Sequence, residues 1–142
     1  MRDTKQESWA WLTEWVEDTA VRDPILGSWA AFLLPVLRAC VNEGLDHYFR
    51  VGQSMSHIIF STTERHGLEH YDPPPPRISL LQDPDKQQWT VAWSYRNLWF
   101  SKPDRQDVIT SDNAFSTLKR YLADLWRETS PGQAIPAALL IE

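Results

Sequence analysis

Ionisable side chains that could bind a ligand are concentrated between residues 50 and 72. Clustered ionisable groups in a cleft are the usual sign of a small-molecule or hydrolytic site. The stretch precedes four prolines, 73–76, which form a stiff connector, and binding groups often occupy loops held by a rigid scaffold. An ordinary solvated connection is the alternative. The candidate ligand-binding residues are Arg50, His57, Arg65, His66, His70 and Tyr71.

The same stretch offers little support for a metal site or for catalysis. His66 and His70 are four residues apart and would share one face of a helix, but no His-Glu-x-x-His motif is present. Ser54 with His57 could pair a nucleophile with a base, yet the Gly-x-Ser-x-Ser sequence around Ser54 lacks the second glycine of a nucleophile elbow. We therefore expect no metal, no cofactor and no catalytic residue.

Acidity is confined to the first half of the chain. The net charge is −5, and residues 1–72 hold eleven Asp or Glu against six Lys or Arg, while the remainder is balanced at eight against eight. No concentrated positive field is evident, which disfavours nucleic acid as a partner. An acidic surface instead favours solubility or a basic protein partner.

One aromatic stretch predicts the floor of the core. Large apolar residues alternate with small or polar ones in 89–102, which is the period of a strand with one buried face. A turn at Arg96-Asn97 would fold this stretch into a hairpin, with Trp93 opposite Phe100 and Val91 opposite Lys102.

Two of the eight tryptophans are candidate interface residues. Trp99 falls on the other face of the predicted hairpin, among Ala92, Ser94 and Ser101, where the indole is either covered by a helix or forms a shallow exposed binding patch. Trp11 lies beside the main apolar stripe of the first predicted helix and either widens its buried face or is partly exposed. These two positions are predicted to contact a partner protein.

The remaining pattern predicts an α+β domain. Residues 1–44 are helical in two segments, the second starting at Asp23-Pro24 and kinked or split by Pro35. Strands are expected in 48–63, either one bent at Gly52 or two turning at Gly52-Gln53, and in 77–82. Part of 48–63 could instead be helical, because Met55, Ile58 and Ile59 also fit three-and-four spacing. A helix is predicted over 111–128, capped by Ser111 or Asp112, before an apolar tail at 130–142. The result is a single domain, 1–142. Its antiparallel meander of three to five strands spans 48–102 and includes a polar loop at 64–76. Two N-terminal helices and one C-terminal helix pack on the sheet.

Cys40 and the N-terminus indicate the compartment. The only cysteine falls within an apolar helical stripe, as expected for a buried thiol in a reducing environment. No apolar leader opens the chain, and no segment is apolar enough to span a membrane. Cytoplasmic localisation without membrane association is the expectation.

These features favour a small non-enzymatic regulatory domain that binds another protein, such as an antitoxin-like or immunity-like inhibitor. The alternative is a small-molecule-binding or hydrolytic pocket built from Arg50, His57, Arg65, His66 and His70. A homo-oligomer formed through the tail, Ala134 to Ile141, is a further possibility.

Overall fold

Within the residues that the structure describes, three α-helices and a five-stranded antiparallel sheet form the fold. The computed structural model describes residues 4–54, 57–64, 68, 71–83, 87–96 and 102–140. The helices are α1 (Lys5–Arg22), α2 (Gly27–Asn42) and α3 (Ala114–Thr129). The strands are β1 (Arg50–Ser54), β2 (His57–Ser61), β3 (Arg77–Gln82), β4 (Trp89–Ser94) and β5 (Arg105–Ile109), and short 3₁₀ turns occupy Leu45–His47 and Ala137–Leu139.

The order of the strands in the sheet is their order in the chain. Each strand pairs antiparallel with the next, giving β1-β2-β3-β4-β5. The structure therefore confirms the predicted α+β meander with two helices before the sheet and one after it.

Apolar side chains of alternate strand positions form one face of the sheet and pack with the helices in a single core. The strand residues are Val51, Ile58, Phe60, Ile78, Leu80, Trp89, Val91, Trp93 and Ile109. Helix residues at three- and four-residue spacing complete the core, among them Leu12 and Val16 of α1 and Leu118 and Leu122 of α3. The helical stripes predicted from the sequence thus cover this face.

The two front helices begin and end at different signals from those predicted. Asp23 does not cap α2: its backbone N–H donates to Thr19 at the end of α1, and its side chain accepts from Ile25 and Leu26 in the connection. As a result α2 starts three residues after Pro24. The helix also continues through Pro35 and is not split there.

The strand predictions were wrong in two details. Gly52 is not a turn but lies inside β1, opposite Ile59. The partner of β4 is β5 and not 98–102, so Trp93 pairs with Arg105 and Val91 with Asp107. Residues 97–101, including Trp99, lie outside the described residues.

The C-terminal elements follow the predicted order. The α3 helix begins at Ala114, and Asn113 rather than Ser111 or Asp112 is its first flanking residue. The tail folds back on its own chain, because Leu139 is buried and the Trp126 indole N–H donates to the Ala134 carbonyl at 3.3 Å. Association of copies through the tail stays a prediction.

Candidate functional site: an acidic groove between the first two helices

Arg50 is the most deeply buried member of the predicted ligand-binding set that the structure describes. It lies on β1 with only 4% of its surface exposed. Its guanidinium donates to the carbonyl oxygens of Thr63, at 3.3 Å from Nε, and of Glu64. These bonds fasten the chain that leaves β2 onto β1. Arg50 therefore has a structural role, and its ligand-binding role stays a prediction.

His57 lies at the opposite end of the same strand pair. It is opposite Ser54, whereas Arg50 is opposite Ser61. Both side chains are on one face of the sheet. His57 is four positions along β2 from Ser61, the residue opposite Arg50, so about 13 Å of strand separates His57 from Arg50. Partial burial lowers the pKa of His57 below its ordinary value through desolvation. The structure does not bring Arg50 and His57 to a common point.

Of the other predicted ligand-binding residues, the structure describes only Tyr71. Arg65, His66 and His70 lie outside the described residues, and the backbone N–H of Tyr71 donates to the Leu68 carbonyl at 3.2 Å. The ligand-binding role of these residues stays a prediction. Across the described part of the chain, no three His, Cys, Asp or Glu side chains are close enough to hold a metal ion.

A groove between α1 and α2 is the site that the structure does form. It encloses about 520 Å³, which is within the range of pockets that bind small ligands or anchoring side chains. The α1 wall repeats at three and four residues, so it is a single helical face. The lining residues are Gln6, Trp9, Ala10, Thr13, Glu14 and Glu17 of α1, Arg38, Val41 and Asn42 of α2, and Asp46 beyond it.

The wall of the groove is negatively charged. Glu14, Glu17 and Asp46 line it, against the single guanidinium of Arg38. Arg38 pairs with Glu17 at 3.3 Å, but both side chains are about half exposed, and pairs of this kind hold weakly in water. The groove therefore presents an excess of carboxylate to whatever enters it.

Three of the residues that line the groove, Trp9, Ala10 and Val41, are apolar. Trp9 is only 1% exposed, and its indole N–H donates to the Phe49 carbonyl at 2.8 Å, so this donor is already satisfied. Ala10 and Val41 are exposed and supply the accessible apolar surface. The Thr13 hydroxyl oxygen is buried, and no group in the described chain bonds to it.

This combination suits binding better than catalysis. Among the described residues that line the groove there is no histidine, cysteine or lysine, which are the side chains that most often act as base or nucleophile near neutral pH. Exposed apolar side chains beside carboxylates instead match a long aliphatic side chain that ends in a cation. Lysine and arginine are the protein side chains of this kind.

Trp11 lies beside the groove. It is three residues from Glu14 on α1, so the two are neighbours on the helix surface, and 39% of its surface is exposed. The predicted interface residue is thus accessible. Trp99 lies outside the described residues, whereas Ala92 and Ser94, which share its predicted face, are each only 1% exposed.

Sequence reasoning missed the groove, although its signal was present. The net acidity of the front half does not by itself place its carboxylates in a concave site. Positions 6, 10, 13 and 17 share one face of that helix, and the second wall depends on how α2 packs. Only the packing turns an acidic helix surface into a concave site.

Known proteins give no guide to this site. The chain matches no protein-family model, and neither a curated protein nor a solved structure resembles it significantly. In the described helices, none has the length and apolar character needed to cross a lipid bilayer.

Proposed function

We propose that this protein is a non-enzymatic regulatory domain that binds a positively charged segment of a partner protein in the groove between α1 and α2. The observation that carries the proposal is a concave, partly apolar site of about 520 Å³ whose wall holds three carboxylates and one guanidinium. An arginine or lysine of the partner would place its aliphatic stem on Ala10 and Val41 and its charge beside Glu14 and Asp46.

The distribution of charge along the chain supports the same partner. Its negative charge is carried by the half that forms α1 and α2. An acidic surface steers a basic partner toward the groove and raises the rate of association, an effect that salt screens. Binding should therefore weaken as ionic strength rises.

Trp11 would contact the partner at the rim. Partly exposed aromatic side chains are enriched in protein interfaces because they bury a large area with little loss of conformational freedom. Inhibitors of the antitoxin or immunity type are one class of regulator that such a surface would serve.

A direct test uses an arginine peptide as the probe. Isotope-labelled protein is titrated with the amidated peptide acetyl-Gly-Arg-Gly-Arg-Gly and followed by amide NMR shifts. We expect changes confined to residues 6–17 and 38–46, and we expect added salt to weaken them. The matched probe replaces both arginines with citrulline, which keeps the shape and removes the charge.

Two single charge reversals complete the test. Glu14→Lys changes the groove, and Asp112→Lys makes the same change at an exposed position before α3. The first should abolish the localised shifts and the second should leave them. Equal shifts with the citrulline peptide, or equal losses in both variants, would refute the proposal. A partner protein captured by Asp112→Lys but not by Glu14→Lys would extend it.

A further inference from the structure

Two contacts show how the walls of the groove are aligned. At one end, Arg38 of α2 pairs with Glu17 of α1 at 3.3 Å. At the other end, Nε2 of Gln6 in α1 lies 3.4 Å from Nε2 of His47, in the 3₁₀ turn that follows α2. Residues later in the second wall thus meet residues earlier in α1. The groove therefore runs along α1 from position 17 to position 6.

The carboxylate at the first end already has a cation. The guanidinium of Arg38 lies beside Glu17, and both side chains line the groove. The chain thus places an arginine of its own on one carboxylate of the groove, in the same kind of contact that we propose for the partner.

The other two carboxylates of the groove, those of Glu14 and Asp46, have no such contact. Neither forms an ion pair or a side-chain hydrogen bond within the part of the chain that the structure describes. Glu14 is exposed and Asp46 is half-buried. A partner can therefore neutralise both of them without breaking an existing bond.

These two carboxylates belong to different levels of the groove. Asp46 directly precedes His47, so it lies near the level of Gln6. Glu14 follows Gln6 by eight residues, which is about 12 Å along the helix axis. The heavy atoms of a hydrogen bond must approach to about 3 Å. A single cation therefore bonds to one of the two carboxylates at a time, and two cations are needed to occupy both.

The wall between these levels carries no charge of its own. Ala10, midway between Gln6 and Glu14, is exposed and lines the groove. Thr13 also lines it, and its hydroxyl oxygen has no hydrogen-bond partner in the described chain. Rotation about the Cα–Cβ bond can turn this hydroxyl toward a donor that enters beside Glu14. A guanidinium has enough N–H groups to bond to the hydroxyl and the carboxylate together.

We propose that the groove binds a segment with two basic side chains about 12 Å apart, one at Glu14 and one at Asp46. This inference rests on the proposed function of the groove and specifies the partner that it binds. In an extended segment the spacing corresponds to residues i and i+4, whose side chains point to the same side. Two weak contacts joined in one segment strengthen each other, because the second forms within the complex.

Rigid peptides of different length test the spacing. In acetyl-Arg-(Pro)n-Arg-amide with one, three or six prolines, the arginines are about 6, 12 and 22 Å apart, because polyproline II rises by 3.1 Å per residue. Amide NMR titration of the full chain gives a dissociation constant for each peptide. We expect the three-proline peptide to bind about fivefold more tightly than the other two, and we expect citrulline in place of either arginine to remove this advantage.

Two substitutions assign the ends of the groove. Glu14→Gln and Asp46→Asn each remove one of the two carboxylates, so the three peptides should bind either variant with similar affinity. Asp112→Asn is the matched control, because it neutralises an exposed carboxylate before α3 and should keep the preference.

The outcomes separate this inference from the function on which it rests. Equal affinity of the unaltered chain for all three peptides, with binding still lost on citrulline substitution, would overturn the spacing and leave cation binding in place. A preference that survives both Glu14→Gln and Asp46→Asn would also overturn it. Absence of any binding that depends on arginine would refute the proposed function itself.

Discussion

Replacing Ser8 with alanine should destabilise the protein, although alanine is the better helix former. Ser8 lies in the first half of α1 and is 3% exposed. Its Oγ accepts a hydrogen bond from the Val51 N–H at 3.1 Å and donates to the Lys5 carbonyl at 2.6 Å. Val51 belongs to β1, an edge strand of the sheet. A helix side chain thus satisfies a strand donor that has no partner strand on that side.

The magnitude follows from two opposing effects. A buried N–H left without an acceptor costs about 1–3 kcal/mol. The exchange of serine for alanine inside a helix returns roughly 0.5 kcal/mol through helix propensity. The free energy of unfolding should therefore fall by about 0.5–2.5 kcal/mol, and the sign is opposite to the one that propensity predicts.

Urea unfolding followed by circular dichroism measures this change. The transition midpoint should fall while its slope stays constant, because the surface exposed on unfolding is nearly the same. Ser116→Ala is the control: this serine is an exposed residue of α3 whose hydroxyl donates only to Asn113 in the preceding turn. It should be neutral or slightly stabilising.

Amide exchange adds a readout at the bond itself. In the Ser8→Ala variant the Val51 amide should exchange faster relative to amides in the centre of the sheet. Equal stability of Ser8→Ala and the unaltered chain, with the Val51 amide still protected, would refute the role of Ser8 as the cap on this edge.

Three further changes test other parts of the structure. Gly44 has φ +80°, so Gly44→Ala should lower the free energy of unfolding by about 1 kcal/mol. At Gly52 an added Cβ meets nothing within 4 Å, so Gly52→Ala should lower it by less in the same urea assay. Burial first, and then the hydrogen bond to Asp107, raise the pKa of Tyr121 to about 12 from 10.0. The unfolded chain loses this proton more readily, so the contribution is complete below pH 10 and is lost toward pH 12, and Tyr121→Phe should flatten that part of the stability profile. Desolvation raises the pKa of the buried Cys40 thiol, so thiol reagents should label it only after unfolding.

The helices were predictable because their stripes face a single core. Residues 9, 12 and 16 of α1 repeat at three and four and are all buried. The α3 stripe behaves in the same way. Their ends were harder to place, because Asp23 bonds to the connection rather than to the first turn of α2.

The partner of β4 was not predictable from apolar alternation. The first four residues of β5, Arg-Gln-Asp-Val, are exposed, and only Ile109 at its end is buried. On the side toward α3 its charges are matched by that helix: Arg105 bonds to Asp124 at 2.6 Å, and Asp107 accepts from the Tyr121 hydroxyl at 2.6 Å. Contacts between residues so distant in sequence leave no periodic signal, so the more apolar 98–102 was the better match by pattern alone.

The candidate site, too, was predictable only in part. The sequence identified the acidic half and one accessible tryptophan, both of which are properties of single residues. The groove needs α1 and α2 at a fixed separation, and that separation is set by packed side chains such as Trp15 against Trp29, whose rings meet edge to face at 5.9 Å. Composition contains no information about this distance.

The matched charges of β5 also bear on misfolding. A one-residue slip against β4 would turn Arg105 and Asp107 to the other side of the sheet and remove both from α3. The native register of β5 against β4 is therefore favoured over a register shifted by one residue, because the shift would lose both the ion pair and the hydrogen bond to α3. The same side chains put charge on a strand at the border of the sheet, which discourages strands of other molecules from adding there. Neutralising both positions should increase amyloid-like aggregation.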